Sequence, residues 1–312
     1  MRELELFLAT ALGTMTPILA TAIGGAYAEK SRTTNIGMEG MMLISAFFSM
    51  VIGFQAKSAW IGLLGGIGCS VLVAFIFALM VFRLDCDKII GGIGLNLFAS
   101  GLTLLLMTVW FNEPGTYKPK GMPTLPTVEI PLLEKIPIIG PALNGQSILF
   151  FITIVLVFIF RYVMEKTRYG YWVRAVGENE DAAIAAGIPA VKVRISTLLI
   201  SGFTAGIGGA FLSISTLGLY SHNMTSDRGF IALAATIFGN GRIGGTAIAA
   251  MIFGTAEGAA IRLQSENMPI QILNMLPYVA TIAALVIYGL RKKRKGEKED
   301  LESYVPSIVP KD

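Results

Sequence analysis

RYVMEKTRYGYWVRAVGENEDAAIAAGIPAVKVR, residues Arg161 to Arg194, is a charged stretch of short-helix character set between long apolar runs. Runs of roughly 20 apolar residues belong in lipid, so the stretch between them has to lie in water at one face of a membrane. Over the whole chain hydrophobic residues make up 54% and charged residues 15%, with a mean hydropathy of +0.65. An ordinary soluble domain carries about 25% charged residues. The composition therefore describes an integral membrane protein. Because the apolar runs are continuous and do not alternate, they read as helices and not as barrel strands.

Working outward, spanning helices are expected at 4–27, 36–54, 60–82, 89–111, 147–163, 195–217, 246–261 and 273–290. A further apolar piece, 229–238, is too short to cross comfortably and reads as a tilted, broken or re-entrant helix buried in protein. The expected fold is an all-α polytopic bundle of 8–10 transmembrane helices with one short broken or re-entrant member. The membrane domain covers 1–290, with loops at 112–146 and 164–194, and a basic then polar tail occupies 291–312.

Orientation follows from the bias of Lys and Arg. If the short piece crosses, the side holding the Arg161 loop carries 18 of the 25 Lys and Arg residues, Arg291 to Lys295 among them, and the opposite side 7. The 164–194 loop and the C-terminus are therefore expected in the cytoplasm, across the membrane from the 112–146 loop. That second loop holds Pro114, Pro119, Pro123, Pro126, Pro131, Pro137 and Pro141, which suit stiff extended backbone. Trp60 and Trp110 fall at its boundary, as aromatic belts do. The basic cluster after the last helix anchors orientation and attracts anionic membrane lipid, at about 1 kcal/mol per residue. The opening MRELEL runs directly into a long apolar segment, so the first segment is expected to be retained as a helix.

Several chemistries have no foothold. The chain has one histidine, His222, and lacks the GxxxxGK[ST], HExxH, GxSxG and CxxC patterns of nucleotide hydrolysis, metalloproteolysis, serine hydrolysis and thiol redox work. No cofactor, metal site or nucleic-acid partner is expected. The two cysteines, Cys69 and Cys86, do not suggest a disulfide framework. In the 164–194 loop, Asn179 is a suitable N-cap, Glu180 and Asp181 put negative charge in a first turn, and Gly187 followed by Pro189 stops the helix. The result is a helix of about two turns whose small apolar side chains need a docking surface, on another protein or on the same chain.

Polar residues inside the apolar runs are the candidates for a solute path. A carboxylate at mid-bilayer costs roughly 2.5 to 3.5 kcal/mol on insertion scales and normally faces the bundle interior or a water-filled cavity. Glu39 and Glu257 are the two such residues, and Asn35, Asn96, Ser100 and Thr204 are cheaper companions that exchange hydrogen bonds along the same route. For Glu39 the competing reading is structural, a brace between neighbouring helices. Gly62 with Gly66, Gly202 with Gly206 and Gly254 with Gly258 form GxxxG pairs that let helix backbones approach closely.

Three passages resemble one family. RAVGENEDAAIAAGI looks like the coupling-helix loop of bacterial ABC-transporter permeases that serve ribose-type sugars, branched-chain amino acids and nucleosides. GGAYAEKSRTTNIGMEGMMLISAF, Gly24 to Phe47, is similar to that family's early helix signature in its nucleoside-type branch, and DRGFIALAATIFGNGRIGG, Asp227 to Gly245, is similar to its GFIALA-IFG passage. The chain departs from the pattern at Glu180, where proline is frequent, at Asp227-Arg228, where small residues are usual, and after Gly239, where the aromatic and proline are missing. The resemblance implies a permease subunit without its own ATPase site. It implies that Gly177, Glu178, Asn179, Asp181, Ala182, Ala183, Ala186 and Gly187 engage a separate ABC ATPase subunit. It further implies a second permease chain, identical or not, and an extracytoplasmic solute-binding protein, with a nucleoside as the solute. Two alternatives stand beside it: an ABC permease for a sugar or branched-chain amino acid, or an ion-coupled secondary carrier using Glu39 and Glu257 as proton or sodium sites.

Overall fold

The structure, a computed structural model, describes residues 2–129 and 139–263. In chain order its elements are α1 (Arg2–Lys30), α2 (Met38–Gln55), α3 (Ala59–Arg83), α4 (Lys88–Phe111), β1 (Thr116–Tyr117), β2 (Thr127–Val128), α5 (Ile139–Leu143), β3 (Gln146–Ser147) and α6 (Ile148–Lys166). They continue with α7 (Arg168–Glu178), α8 (Glu180–Ala185), α9 (Ala190–Ala210), a π-helical continuation of α9 (Phe211–Leu217), β4 (Tyr220–Ser221), α10 (Arg228–Phe238) and α11 (Ile243–Leu263). Among the described residues seven helices are long and apolar enough to cross a membrane: α1, α2, α3, α4, α6, α9 with its π-helical end, and α11. They match seven of the eight expected spans. The eighth, 273–290, lies outside the described residues, as do the tail at 291–312 and, within the proline-rich loop, Pro131 and Pro137. The chain is a multi-pass α-helical membrane protein.

The core is built around α1 and α9, which pack along each other, with α11 and α10 on α1 and with α2 and α3 on α9. Small residues set how closely these helices approach. Gly62 and Gly66 of α3 meet Ser49, Gly53 and Ser45 of α2, Gly202 and Gly206 of α9 meet Ser70, Ala74 and Ile67 of α3, and Gly254 and Gly258 of α11 meet Met15 and Ala11 of α1. Each expected GxxxG pair therefore faces a neighbouring backbone. Serines close the α3–α9 seam and the adjoining α2–α9 seam: Ser70 Oγ donates to the Gly202 carbonyl and Ser45 Oγ to the Gly206 carbonyl, both at 2.6 Å. In lipid, such packing and interhelical hydrogen bonds replace the hydrophobic drive that assembles soluble cores. The outward faces of α4 and α6 are apolar, with Leu97, Phe98, Val109, Val155 and Phe158 exposed, as a lipid-facing surface requires.

The short apolar piece is half of a broken crossing. At one end of the bundle β4 pairs with β1, Tyr117 opposite Tyr220. At the other end Gly241, at φ +65°, lies against the backbone of Lys30, where α1 finishes. The chain between them therefore traverses the bundle as an irregular segment followed by the 11-residue helix α10. The irregular part holds three non-glycine residues at positive φ, Asn223 at 53°, Ser226 at 46° and Asp227 at 62°, a backbone arrangement that persists only where its surroundings enforce it.

The loop after α6 contains more structure than its sequence suggests. Besides α8 it forms the 11-residue α7, which Thr167 caps by accepting from the Gly170 amide at 3.3 Å. Gly170 and Gly177 make this stretch look like a poor helix former. Both are required by tertiary packing, since a Cβ on Gly170 would strike the Met164 carbonyl and one on Gly177 the Lys30 carbonyl.

A buried close approach of this kind has a measurable cost when filled. Gly209 of α9 sits against the Met42 carbonyl of α2 with no room for a Cβ. Gly209→Val is expected to destabilise the purified protein by about 1 to 3 kcal/mol, the usual cost of overpacking, read as a lower midpoint of thermal unfolding in detergent. Gly68→Ala, where a Cβ meets nothing within 4 Å, is expected to hold or slightly raise that midpoint, since alanine is the better helix former.

Candidate functional site

Two regions concentrate polar chemistry: a knob formed by α7 and α8 at one end of the bundle, and the break before α10 in its interior. In the knob, the Asn179 side chain accepts from the Ala182 amide at 3.0 Å, and Gly187 ends the helix at φ +80°. Arg194 of α9 reaches back to Glu180 at 2.9 Å and ties α8 to the start of α9. Tyr169 of α7 shares a 2.6 Å hydrogen bond with Ser196 of α9, and Tyr27 of α1 donates to the Phe160 carbonyl at 2.6 Å while stacking on Tyr169. Burial pushes the Tyr169 phenol above its ordinary pKa, and the Ser196 bond lowers it less, so it stays protonated across the physiological range.

The eight expected coupling residues divide between the two sides of the knob. Gly177 and Ala183 are buried against the chain's own core, where they seat the knob on α1 and on its neighbours. Glu178, Asn179, Asp181, Ala182, Ala186 and Gly187 are exposed. Beside them the α8 side chain of Ile184 is 54% exposed, the largest apolar side chain at the tip of the knob.

At the break, Glu39 of α2 aims its carboxylate at the first turn of α10. Its Oε2 accepts from the Gly229 amide at 2.6 Å and its Oε1 from the Asp227 amide at 3.2 Å. A helix start leaves four amides without intrahelical partners and carries a partial positive charge, so a carboxylate there satisfies both hydrogen bonding and the dipole. Gly229 is required at that contact, because a Cβ would stand 2.5 Å from the Glu39 backbone. On the other side of the same turn Arg228 pairs with Glu257 of α11 at 2.5 Å and donates to the Met224 and Thr225 carbonyls at 3.1 and 3.4 Å.

Glu39, Asn96 and Ser100 line one cleft of about 410 Å3, together with Asn223, Ser226, Asp227 and Phe230. Asn96 bridges α4 to the start of α2, accepting from the Gly40 amide at 2.8 Å and donating to the Ile36 carbonyl at 2.9 Å. Ser100 donates to Asn223 Oδ1 at 3.0 Å. The other three expected path residues lie elsewhere. Asn35 is buried and donates to Ser201 Oγ at 2.9 Å, Thr204 is buried and donates to the Ser201 carbonyl at 3.1 Å, and Glu257 stands behind Arg228. Arg228, Asn223 and Phe230 escaped the sequence reading. The available signal was Arg228 itself, a cation opening an apolar helix that had to find a buried carboxylate.

The profile of the family described as the permease component of branched-chain amino acid transport systems matches residues 7–287. The nucleoside ABC transporter permease protein NupC of Lactococcus lactis is 32% identical over 315 residues, covering 97% of this chain and 98% of the relative. The guanosine ABC transporter permease protein NupQ of Bacillus subtilis is 34% identical over 284 residues, covering 86% of this chain and 87% of the relative. A solved inward-facing ABC transporter shares the fold, with a TM-score of 0.50 at 18% identity, over 93% of this chain and 86% of the other. This chain belongs to the family of permease components of branched-chain amino acid transport systems.

Proposed function

We propose that this chain is the membrane subunit of an ATP-driven importer, that its solute is a nucleoside, and that a separate ABC ATPase docks on the knob of α7 and α8. The observation that carries the reading is the exposed tip of α8, held rigidly at its base by Asn179, Glu180 with Arg194, and Gly177 against Lys30. A six-residue helix is not stable alone in water, so a helix capped, braced and left with an apolar residue outward is built to be covered. The similar nucleoside and guanosine permeases support the choice of solute over a sugar or an amino acid. The family membership favours a subunit driven by an external ATPase over an ion-coupled carrier. The engagement of Glu39 with backbone amides and of Glu257 with Arg228 supports the same choice.

In this reading the knob end is cytoplasmic and the strand pairs lie on the outer face, where an extracytoplasmic binding protein delivers the solute. A second permease chain completes the pore, and the cleft of Glu39, Asn96 and Ser100 forms part of the path. Asn, Ser and carboxylate groups suit ribose hydroxyls, and the exposed ring of Phe230 offers a flat apolar face to a base.

The assignment is tested by reconstituting the complete importer in proteoliposomes and following uptake of labelled adenosine, uridine, ribose and leucine. ATP-dependent uptake of a nucleoside supports it; uptake that survives without ATP and collapses with the proton gradient overturns it. Ile184→Arg is expected to weaken ATPase docking by roughly 30-fold, about 2 kcal/mol, measured as loss of the co-purified ATPase with normal membrane insertion. At the break, Glu39→Leu leaves the amide of buried Gly229 without its acceptor, at about 1 to 3 kcal/mol for an unsatisfied group, and releases the exposed Asp227 amide to water. Its thermal midpoint is expected to fall further than that of Glu39→Gln, which keeps one acceptor.

A further inference from the structure

A second cavity, of about 810 Å3, lies on the opposite side of the break from the Glu39 cleft. Its walls are the first half of α1 at Thr10, Gly13 and Thr14, the Gln146 turn, and the π-helix at Ser215 and Thr216, and Arg228 lines it beside Glu257. Ser226 lines both this chamber and the Glu39 cleft, so the strained segment before α10 is the partition between them.

Three independent features of the chamber are those of a binding site. The Ser215 hydroxyl and Arg228 Nε are buried without a hydrogen-bond partner among the described residues, and such groups in a native structure call for an absent water or ligand. Pro17 lies inside α1 four residues after Gly13 and has no N–H, so the Gly13 carbonyl lacks its helical donor. Gly13 lines the chamber and has nothing within 4 Å of where a side chain would be. The wall carrying Ser215 and Thr216 is π-helical, a rare geometry that recurs at functional sites.

We propose that this chamber is a solute-holding site on the outer side of the partition, taking an uncharged polyhydroxylated solute of nucleoside size. The proposal deepens the importer reading and rests on it. The volume lies within the range of about 300 to 1,000 Å3 typical of small-molecule sites. The hydroxyls of Thr10, Thr14 and Thr216 and the Gln146 amide nitrogen already donate to backbone carbonyls, so their oxygens and the Gly13 carbonyl are left to accept from sugar hydroxyls, and the Ser215 hydroxyl is left to donate. Its one cation is matched at 2.5 Å by Glu257, so no net charge is left to draw in an anion. A phosphorylated solute would enter with an unpaired net charge and an amino acid with two separated charges, both needing partners; a nucleoside enters with none.

The test uses the complete reconstituted importer, with Cys69 and Cys86 replaced by serine and a single Ser215→Cys or Thr216→Cys introduced. A membrane-impermeant thiosulfonate reagent is added from the outer side. Both cysteines are expected to react, and adenosine or uridine at about ten times its dissociation constant is expected to slow the reaction about tenfold, as occupancy predicts. Adenosine monophosphate is expected to give no protection, and Phe158→Cys, on the exposed face of α6, is expected to be unaffected by any solute. Absent labelling, or labelling that no nucleoside slows in a preparation that imports nucleosides, overturns the chamber and leaves the importer reading intact. Protection by ribose or leucine alone keeps the chamber and overturns the nucleoside assignment.

Discussion

A helix that begins in the interior of a membrane bundle has to find hydrogen bonds for its first amides, because no water is there to provide them. In this chain the first turn of α10 meets that requirement with the carboxylate of Glu39, which reaches across from α2 to two amides at once. The contact fixes more than one helix start. It forces glycine at position 229, it joins α2 to α10, and it leaves the opposite flank of the turn to the Arg228 and Glu257 pair on α11. The distant α2 and the consecutive α10 and α11 are thereby locked to one point, and the chain between the two cavities is not helical there.

Buried ion pairs of this sort are expensive to assemble and more expensive to break. Replacing such a pair by well-packed apolar residues is often neutral, whereas removing one partner costs about 3 to 5 kcal/mol. Stability alone is therefore a weak reason for Arg228 and Glu257. Their position gives a better one: they flank the partition, they hold the segment from Met224 to Arg228 in its irregular course, and they cancel each other's charge beside a polar chamber. The departures from the family wording at Asp227-Arg228 and at Glu180 have the same character. Arg228 enters the buried pair, and Glu180 forms the pair with Arg194 that braces α8.

Most of the fold was legible because membrane helices announce themselves by length and apolarity, and the seven described spans lie where those runs lie. The glycine pairs were legible as close-approach surfaces, although which helix each would face was not, since nothing local to Gly202 names Ser70 or Ala74 as its neighbour. The knob was half legible: Asn179, Glu180 and Gly187 mark the limits of α8, while α7 was hidden by two glycines that tertiary packing demands. Of the site, Glu39, Asn96 and Ser100 could be picked out as costly or polar residues in lipid, and the structure gathers them around one cleft. Asn35 and Thr204 satisfied the same sequence criterion and turned out to bond within the core. The chamber was illegible, because its marks are a proline's missing amide, a change of helical pitch and two unpartnered atoms from segments that meet only in the folded protein.

The knob and the chamber stand at opposite ends of the same two rods. Gly177 seats the knob on the last residue of α1, and Tyr27 stacks on Tyr169; Arg194 and Ser196 tie the knob to the first turns of α9. At their far ends α1 and the π-helical continuation of α9 are the chamber's walls. In the proposed reading, a displacement imposed on α8 is applied to the ends of these two helices and arrives at Thr14 on one wall and Ser215 on the other. Helices packed this tightly through glycine seams shift between discrete arrangements and do not stretch. What gives way is then the weakest backbone on the path, the run of positive-φ residues at 223–227 that separates chamber from cleft. Its hold on α10 is a set of hydrogen bonds and one ion pair to α2 and α11, helices that pack on α9 and α1 respectively. Moving the rods therefore moves both anchors of the partition, and this is a physical route by which an ATPase bound to one face can open a passage buried between two cavities.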